Sequence, residues 1–193
     1  MSGTQFDALP YDEGRRWELL GGELIEMPSP TPRHQDIVFL IQTALRHYLA
    51  ASGHQGRVYA DVEFALSSND RRRPDVCVLL AEKSVSLDLD RIPIPGAPDI
   101  AIEVISPTER AVASYGKVRT CLRNGTAEVW QVYPDTRTVQ VYIGETSHSI
   151  DFDQQVTSGL LPGFASPVAA FFEKARVHQP TVQRGAVFTA WKL

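Results

Sequence analysis

Short apolar runs rich in β-branched residues alternate along the chain with longer segments of helical periodicity. Turn residues bound the short runs, which therefore predict strands, while apolar residues at helical spacing predict helices. The strands are predicted at residues 57–66, 74–80, 100–105, 127–133 and 138–143, and the helices at 32–51 and 109–124. This order indicates an α/β fold with a mixed central β-sheet flanked by helices.

The two ends of the chain carry weaker patterns. Two apolar runs flank Gly21-Gly22, and paired glycines between such runs predict a two-residue hairpin over residues 16–27. The tail at 174–193 contains β-like apolar residues. Because 193 residues can form one substantial core, we expect a single domain over 1–193 with the hairpin and the tail as appendages.

The second predicted helix has two faces with different roles. Ser106 to Glu109 indicates its start, with Thr108 as a possible cap. Its apolar stripe is predicted from residues at helical spacing, namely Val112, Tyr115, Val118 and Leu122. At about 100° per residue, Lys117 lies just beside this stripe and Arg110 on nearly the same side. We therefore expect Lys117 to reach back towards the end of the preceding strand.

Glu103 interrupts the apolar run at 100–105. A carboxylate in a buried strand needs a metal ion or a base beside it. Asp99 shares its face but stands roughly 13 Å away, too far to hold the same ion. Asp75 begins the run at 74–80, and adjacent strands lie only about 4.8 Å apart, so the two carboxylates can meet. Their mutual repulsion favours a divalent cation, and hard oxygen ligands suit Mg²⁺ or Mn²⁺.

The same residues also have a purely structural interpretation. Asp75 could cap the start of its strand, while Glu103 and Lys117 could form a buried ion pair without any reaction. His34 falls in the first turn of the helix at 32–51, where a histidine is more often a solvated or capping group than a site residue.

Composition narrows the classes of function. A net charge of -4 gives no general attraction to nucleic acid, so DNA binding would need a local basic patch, for which Arg71-Arg72-Arg73 is the candidate. No run approaches roughly 18 uncharged apolar residues, and the N-terminus lacks a basic and then apolar segment, which predicts a cytoplasmic protein without a membrane span. Cys77 and Cys121 fall in apolar segments that disfavour a thiol nucleophile.

The chain resembles the Uma-type restriction endonucleases of the PD-(D/E)XK nuclease superfamily. The resemblance lies in a Pro-Asp strand at 74–75, a second strand with Glu103, a Ser-Pro pair and a helix that bears Lys117. It extends to WELLGGELIEMPSPTPRHQ, GTAEVWQVYPDTRTVQVY and LLPGFASPVAAFF, and therefore covers most of the chain. It implies a restriction-endonuclease-like core and a metal-dependent endonuclease that hydrolyses DNA phosphodiester bonds.

The resemblance also implies roles for individual residues. Asp75 and Glu103 would be the catalytic carboxylates that bind Mg²⁺ or Mn²⁺, and Lys117 would be the catalytic lysine. In the usual superfamily pattern the lysine follows the glutamate by two residues, where this chain has Ile105. Glu23 would be an additional acidic member of the catalytic site.

Two arginines would bind the substrate. Arg73 and Arg110 could grip the phosphate backbone of DNA. Whether two copies of the chain pair as a homodimer is left open.

Three positions depart from the family pattern. Ala113 stands where the family often has an acidic residue four before the helix lysine, Cys121 replaces a tyrosine four after it, and Tyr133 replaces an aspartate. These changes support an alternative hypothesis, in which the chain is a catalytically inactive nuclease fold that serves as a DNA-binding or protein-interaction module.

Overall fold

The computed structural model describes residues 1–10 and 16–173, which form an α/β fold. The helices are α1 (Gly3–Asp7), α2 (Pro32–Ser52), α3 (Ala81–Val85), α4 (Ala111–Arg123) and a 3-10 helix at Val168–Phe171. The strands are β1 (Arg16–Leu20), β2 (Glu23–Met27), β3 (Gly56–Ala60), β4 (Phe64–Ser67), β5 (Asp70–Arg72), β6 (Val76–Leu80), β7 (Ile94–Pro95), β8 (Ile100–Val104), β9 (Glu128–Tyr133), β10 (Thr138–Ile143), β11 (Thr146–Ile150), β12 (Gln155–Thr157) and β13 (Ala165–Pro167). The predicted tail at 174–193 lies outside the described residues.

A mixed six-stranded sheet forms the centre of the fold, in the order β11-β10-β9-β8-β6-β3. β8 pairs with β9 in parallel and with β6 antiparallel. Every residue of β8 is buried, as its nearly continuous apolar sequence predicts for a strand covered on both faces. The predicted strands at 74–80, 100–105, 127–133 and 138–143 are therefore confirmed to within a few residues.

A second sheet of five strands, in the order β2-β1-β5-β4-β7, contains the predicted hairpin at 16–27. Gly21 and Gly22 have φ values of 58° and 84°, a conformation that glycine adopts without steric cost. The single strand predicted at 57–66 is wrong, because Asp61 has a φ of 59° and breaks it in two. β3 before this break joins the central sheet, and β4 after it joins the second sheet.

Helix α2 follows its sequence prediction closely. The Thr31 hydroxyl accepts a hydrogen bond of 3.2 Å from the His34 backbone N–H, and Gly53 ends the helix in the left-handed conformation. The buried face packs on the central sheet and consists of Ile37, Val38, Ile41, Leu45 and Leu49. Within the described residues, no helix is long and apolar enough to cross a membrane.

Helix α4 differs from its prediction in both its start and its buried face. It begins at Ala111, two residues later than predicted, and Thr108 lies in the turn before it. Val112 and Tyr115 are 81% and 49% exposed, so half of the predicted apolar stripe faces away from the core. The buried residues are Ser114, Lys117, Val118 and Cys121. A pattern that counts only apolar residues misplaces this face because two of its members are polar.

We expect Ile41→Ala to lower the free energy of unfolding by about 2 to 5 kcal/mol, since Ile41 is fully buried between α2 and the central sheet. The matched control is Phe39→Ala, which removes an exposed side chain from the same helix and should change stability by less than about 0.5 kcal/mol. Urea unfolding followed by circular dichroism measures both values. Similar losses in the two variants would contradict this orientation of α2.

Candidate active site

Asp75 and Glu103 meet where two antiparallel strands of the central sheet end. The register pairs Val76 of β6 with Ile102 of β8, so the next residues outward, Asp75 and Glu103, stand opposite each other. Asp75 is fixed there by the backbone, because its Oδ2 accepts a hydrogen bond of 2.8 Å from the Val104 N–H. The structure thus brings together the two carboxylates that the sequence pattern selects.

His34 also belongs to this site, although a histidine in the first turn of a helix is more often a solvated or capping group. Its Nε2 lies 3.0 Å from Oδ1 of Asp75. Burial lowers the pKa of His34, but the hydrogen bond and the negative charge of Asp75, together with the charge of Glu103, outweigh burial and raise it above 6.5. The Thr31 cap and Pro32 start α2 at the point that directs this imidazole towards the sheet.

Glu103 is buried, with 6% of its surface exposed, and its nearest cation is Arg72. The Arg72 Nη2 donates a hydrogen bond of 2.8 Å to Oε1 of Glu103. Burial raises the pKa of Glu103 to about 8, with the negative charge of Asp75 acting in the same direction and the positive charges of Arg72 and Lys117 acting against it. Even with both cations nearby, the buried Glu103 carboxyl therefore binds a proton more readily than an exposed one does.

Glu18 completes the group from the second sheet. It is buried, forms an ion pair with Nη1 of Arg72, and accepts a hydrogen bond of 2.8 Å from the Arg73 N–H. The signal in the sequence was a carboxylate inside the apolar segment Trp-Glu-Leu-Leu. Glu23, which the resemblance implied as an additional acidic residue, is exposed at the start of β2 and does not line the pocket around Asp75.

The three consecutive arginines do not form an exposed basic patch, contrary to the sequence prediction. Arg71 and Arg72 are buried, and Arg71 pairs with Asp7 at 2.8 Å. Only Arg73 keeps a substantial exposed fraction, and it pairs with Glu63 at 3.0 Å at the margin of the site. These side chains are drawn inward because each has an acidic partner from another segment. Arg110, the other predicted DNA contact, is exposed at the N-cap of α4 and outside the pocket lining.

Lys117 is buried in the same site, and its Nζ lies 2.8 Å from Oε1 of Glu109. The structural interpretation that paired Lys117 directly with Glu103 is thus not observed: each of the two has a different ion-pair partner. Burial lowers the pKa of Lys117, but Glu103, Glu18 and Glu109 together raise it above 10.5. The ammonium is therefore a stable cation.

A pocket of about 510 Å³ opens over these groups. Asp75, Glu103, Lys117 and Arg73 all line it, together with His34, Glu18 and Glu109. Ile105, at the usual position of the superfamily lysine, also contributes to its surface. Residues that lie up to more than forty positions apart in the sequence, from Arg73 to Lys117, therefore lie together at one concave, accessible site.

The carboxylates in this pocket suit an ion such as Mg²⁺, which keeps several water ligands, better than a metal whose ligands are all protein side chains. Within residues 1–10 and 16–173, no cluster of three or more His, Cys, Asp or Glu side chains is arranged to hold a metal. Mg²⁺ commonly uses one or two carboxylates and completes its shell with water and phosphate oxygens. Asp75 and Glu103 each accept hydrogen bonds but retain further lone pairs, so the two carboxylates fit such an ion.

The residues that depart from the family pattern have well-defined surroundings. Tyr133 donates a hydrogen bond of 2.7 Å to Oε1 of Gln131, and the Gln131 Nε2 donates one of 2.7 Å to Oγ of Ser114, so this network ties β9 to α4 one turn before Lys117. Burial raises the pKa of Cys121 to about 11 and that of Cys77 to about 12. Both thiols are therefore poor nucleophiles, as the sequence predicts.

We expect Arg72→Met to lower the free energy of unfolding by about 3 to 5 kcal/mol at pH 7, because it leaves Glu18 and Glu103 buried without their shared cation. Arg57→Met is the matched control: Arg57 is exposed on β3, and its loss should cost less than about 0.5 kcal/mol. Urea unfolding gives both values, and equal small losses would contradict a structural role for the buried guanidinium.

Two comparisons with known proteins agree with this architecture. The Uma2 family, described as "Putative restriction endonuclease", matches residues 4–169. The crystal structure of a putative nuclease belonging to DUF820 from Anabaena variabilis ATCC 29413 superimposes with a TM-score of 0.76 at 22% sequence identity, covering 89% of this chain and 97% of that chain. No curated protein matches the chain.

The structural likeness establishes that the two proteins share a fold, and the family match covers most of the chain, including every residue around the pocket. The chain therefore belongs to the Uma2 family of putative restriction endonucleases.

Proposed function

We propose that this protein is a metal-dependent endodeoxyribonuclease that hydrolyses DNA phosphodiester bonds in the pocket over Asp75 and Glu103. The observation that supports this most directly is the convergence of these two carboxylates and Lys117 in one accessible cavity. Family membership supports a nuclease in general terms, and the geometry adds the choice of residues.

Asp75 and Glu103 would hold Mg²⁺ or Mn²⁺. When bound, such an ion supplies positive charge for a phosphate oxygen and lowers the pKa of coordinated water. The chain itself places the two carboxylates: the Val104 N–H and His34 hold Asp75, while Arg72 holds Glu103. These contacts restrict both carboxylates to one orientation before substrate arrives, which is the preorganisation that catalysis by charge stabilisation requires.

Lys117 would act as a fixed cation and not as a proton acceptor, since its pKa is raised. Phosphodiester hydrolysis concentrates negative charge on the phosphoryl oxygens, and an ammonium beside them stabilises that charge. An ammonium carries three N–H donors, so Lys117 could orient water or a phosphate oxygen while Glu109 remains its ion-pair partner. Arg73, at the pocket margin, would bind a neighbouring phosphate, and Arg110 would contact DNA further along α4.

The contact between Glu109 and Lys117 favours an active enzyme over an inactive module. Ala113 removes the acidic residue that many family members have four positions before the lysine, yet Glu109 supplies a carboxylate 2.8 Å from Nζ. The lysine therefore keeps an acidic partner. A site role for Glu23 and a cytoplasmic location stay predictions, and the pairing of two copies stays open.

Mn²⁺ or Mg²⁺ should stabilise the wild-type protein because it binds the folded site and relieves the repulsion between Asp75 and Glu103. At a concentration near 100 times the dissociation constant, we expect a gain of about 2.7 kcal/mol in the free energy of unfolding. Thermal unfolding with and without the ion measures the gain, which should vanish in Glu103→Gln. Glu23→Gln should retain it; a loss there equal to that in Glu103→Gln would support a site role for Glu23 instead.

Lys117→Met should reduce the rate of DNA cleavage by about 10² to 10³-fold, the usual effect of removing one charge-stabilising donor. Lys83→Met is the matched control, because Lys83 pairs with Asp99 and is not part of the pocket lining. The measurement is cleavage of labelled DNA with Mn²⁺ by variants whose folding is verified by circular dichroism. DNA binding by the wild type without cleavage of any DNA would instead support the inactive module.

A further inference from the structure

One wall of the pocket is apolar although it faces the carboxylates. It is formed by Ile25 and Met27 of β2, which share the hairpin face that carries Glu18, and by Pro28 and Pro30 of the segment that follows. None of the four is buried, so they expose apolar surface inside a site whose floor is charged. A substrate that used only its phosphates would leave this surface without a partner.

The shape of the site limits what can contact that wall. At about 510 Å³, the pocket falls within the range of roughly 300 to 1,000 Å³ that is typical of sites enclosing a small ligand. In a duplex the bases are stacked inside and the phosphates lie on the outer surface, so the faces of the bases cannot reach a concave wall. An unpaired nucleotide presents a base face and a phosphate together, and proteins recognise such nucleotides by stacking them on aromatic or apolar side chains.

The charges around the pocket favour the same substrate. Three arginines line it, namely Arg16, Arg33 and Arg73, and each is paired with one carboxylate while retaining other N–H donors. Arg71 and Arg72 are buried and cannot extend this into a broad basic surface. Duplex binding relies on many phosphate contacts, whereas single-strand binding combines a few cations with base stacking.

We propose that the pocket takes an unpaired nucleotide, so that the substrate is single-stranded DNA or a single-stranded branch of a duplex. The base would pack against Ile25 and Met27 while the phosphate lies over Asp75 and Glu103. This inference rests on the proposed function, because it specifies the substrate of the same site.

The first test is binding of the full chain to a fluorescein-labelled 12-nucleotide single strand and to the corresponding blunt duplex, by fluorescence anisotropy at one salt concentration with Ca²⁺ present. The single strand should bind at least tenfold more tightly than the duplex. Met27→Ala should weaken single-strand binding about tenfold, the order expected for one lost apolar contact with a base, and Met27→Leu should restore most of it. Equal or tighter duplex binding by the wild type would overturn the inference.

Phe39→Ala is the control, since it removes an exposed aromatic residue outside the pocket lining and should leave single-strand affinity unchanged. If Met27→Ala fails to fold by circular dichroism, Ile25→Ala tests the same wall and should also weaken single-strand binding. Wild-type affinity in folded variants at Met27 and Ile25 would overturn the inference.

The second test separates this inference from the proposed function. With Mn²⁺, a duplex that carries a single-stranded flap should be cut within the flap or at its base, and the blunt duplex should be cut at least tenfold more slowly. Equal cleavage of both would overturn the inference and leave the nuclease function standing. Tenfold tighter binding of the single strand, without cleavage of any DNA, would overturn the nuclease function and uphold the nucleotide pocket.

Discussion

The architecture depends on one buried guanidinium. Arg72 on β5 pairs with Glu18 on β1 and with Glu103 on β8, and therefore links the second sheet to the central sheet. A cation with 1% of its surface exposed can remain charged only where carboxylates surround it, which restricts how the two sheets can be placed against each other. Buried ion pairs add little net stability compared with apolar packing, so their value here lies in fixing geometry.

In that geometry the carboxylates of Asp75 and Glu103, at the ends of β6 and β8, favour an additional positive charge beside them. Arg72 and Lys117 reduce the pKa of Glu103, yet burial and Asp75 still raise it to about 8. The cations of the chain thus compensate only part of the negative charge that folding gathers there. Asp75 is the more exposed carboxylate and faces the pocket between His34 and the Val104 N–H. One carboxylate is held rigidly inside while the other meets solvent, an arrangement suited to a cation that arrives with its own water.

The sequence predicts the parts of this site that depend on local periodicity. The alternation along β8 places Glu103 on a definite face, and Asp75 follows because it immediately precedes the adjacent strand β6. Glu18 and Arg72 could not be predicted in the same way, since their burial depends on contacts among β1, β5 and β8 that no short pattern encodes. The buried face of α4 was predicted wrongly for a related reason. Ser114 and Lys117 are buried because polar partners lie opposite them, and the spacing of apolar residues contains no information about such partners.

Glu109 shows how the chain can lose a family residue and keep the interaction. Helix α4 starts only at Ala111, so Glu109 lies in the preceding turn, where its N–H donates a hydrogen bond of 2.9 Å to the Ser106 carbonyl. From that turn its carboxylate reaches Lys117, eight residues ahead. Comparison by sequence position counts Ala113 as a lost acidic residue. In three dimensions the lysine keeps a carboxylate partner, which opposes the hypothesis that this nuclease fold has decayed into an inactive module.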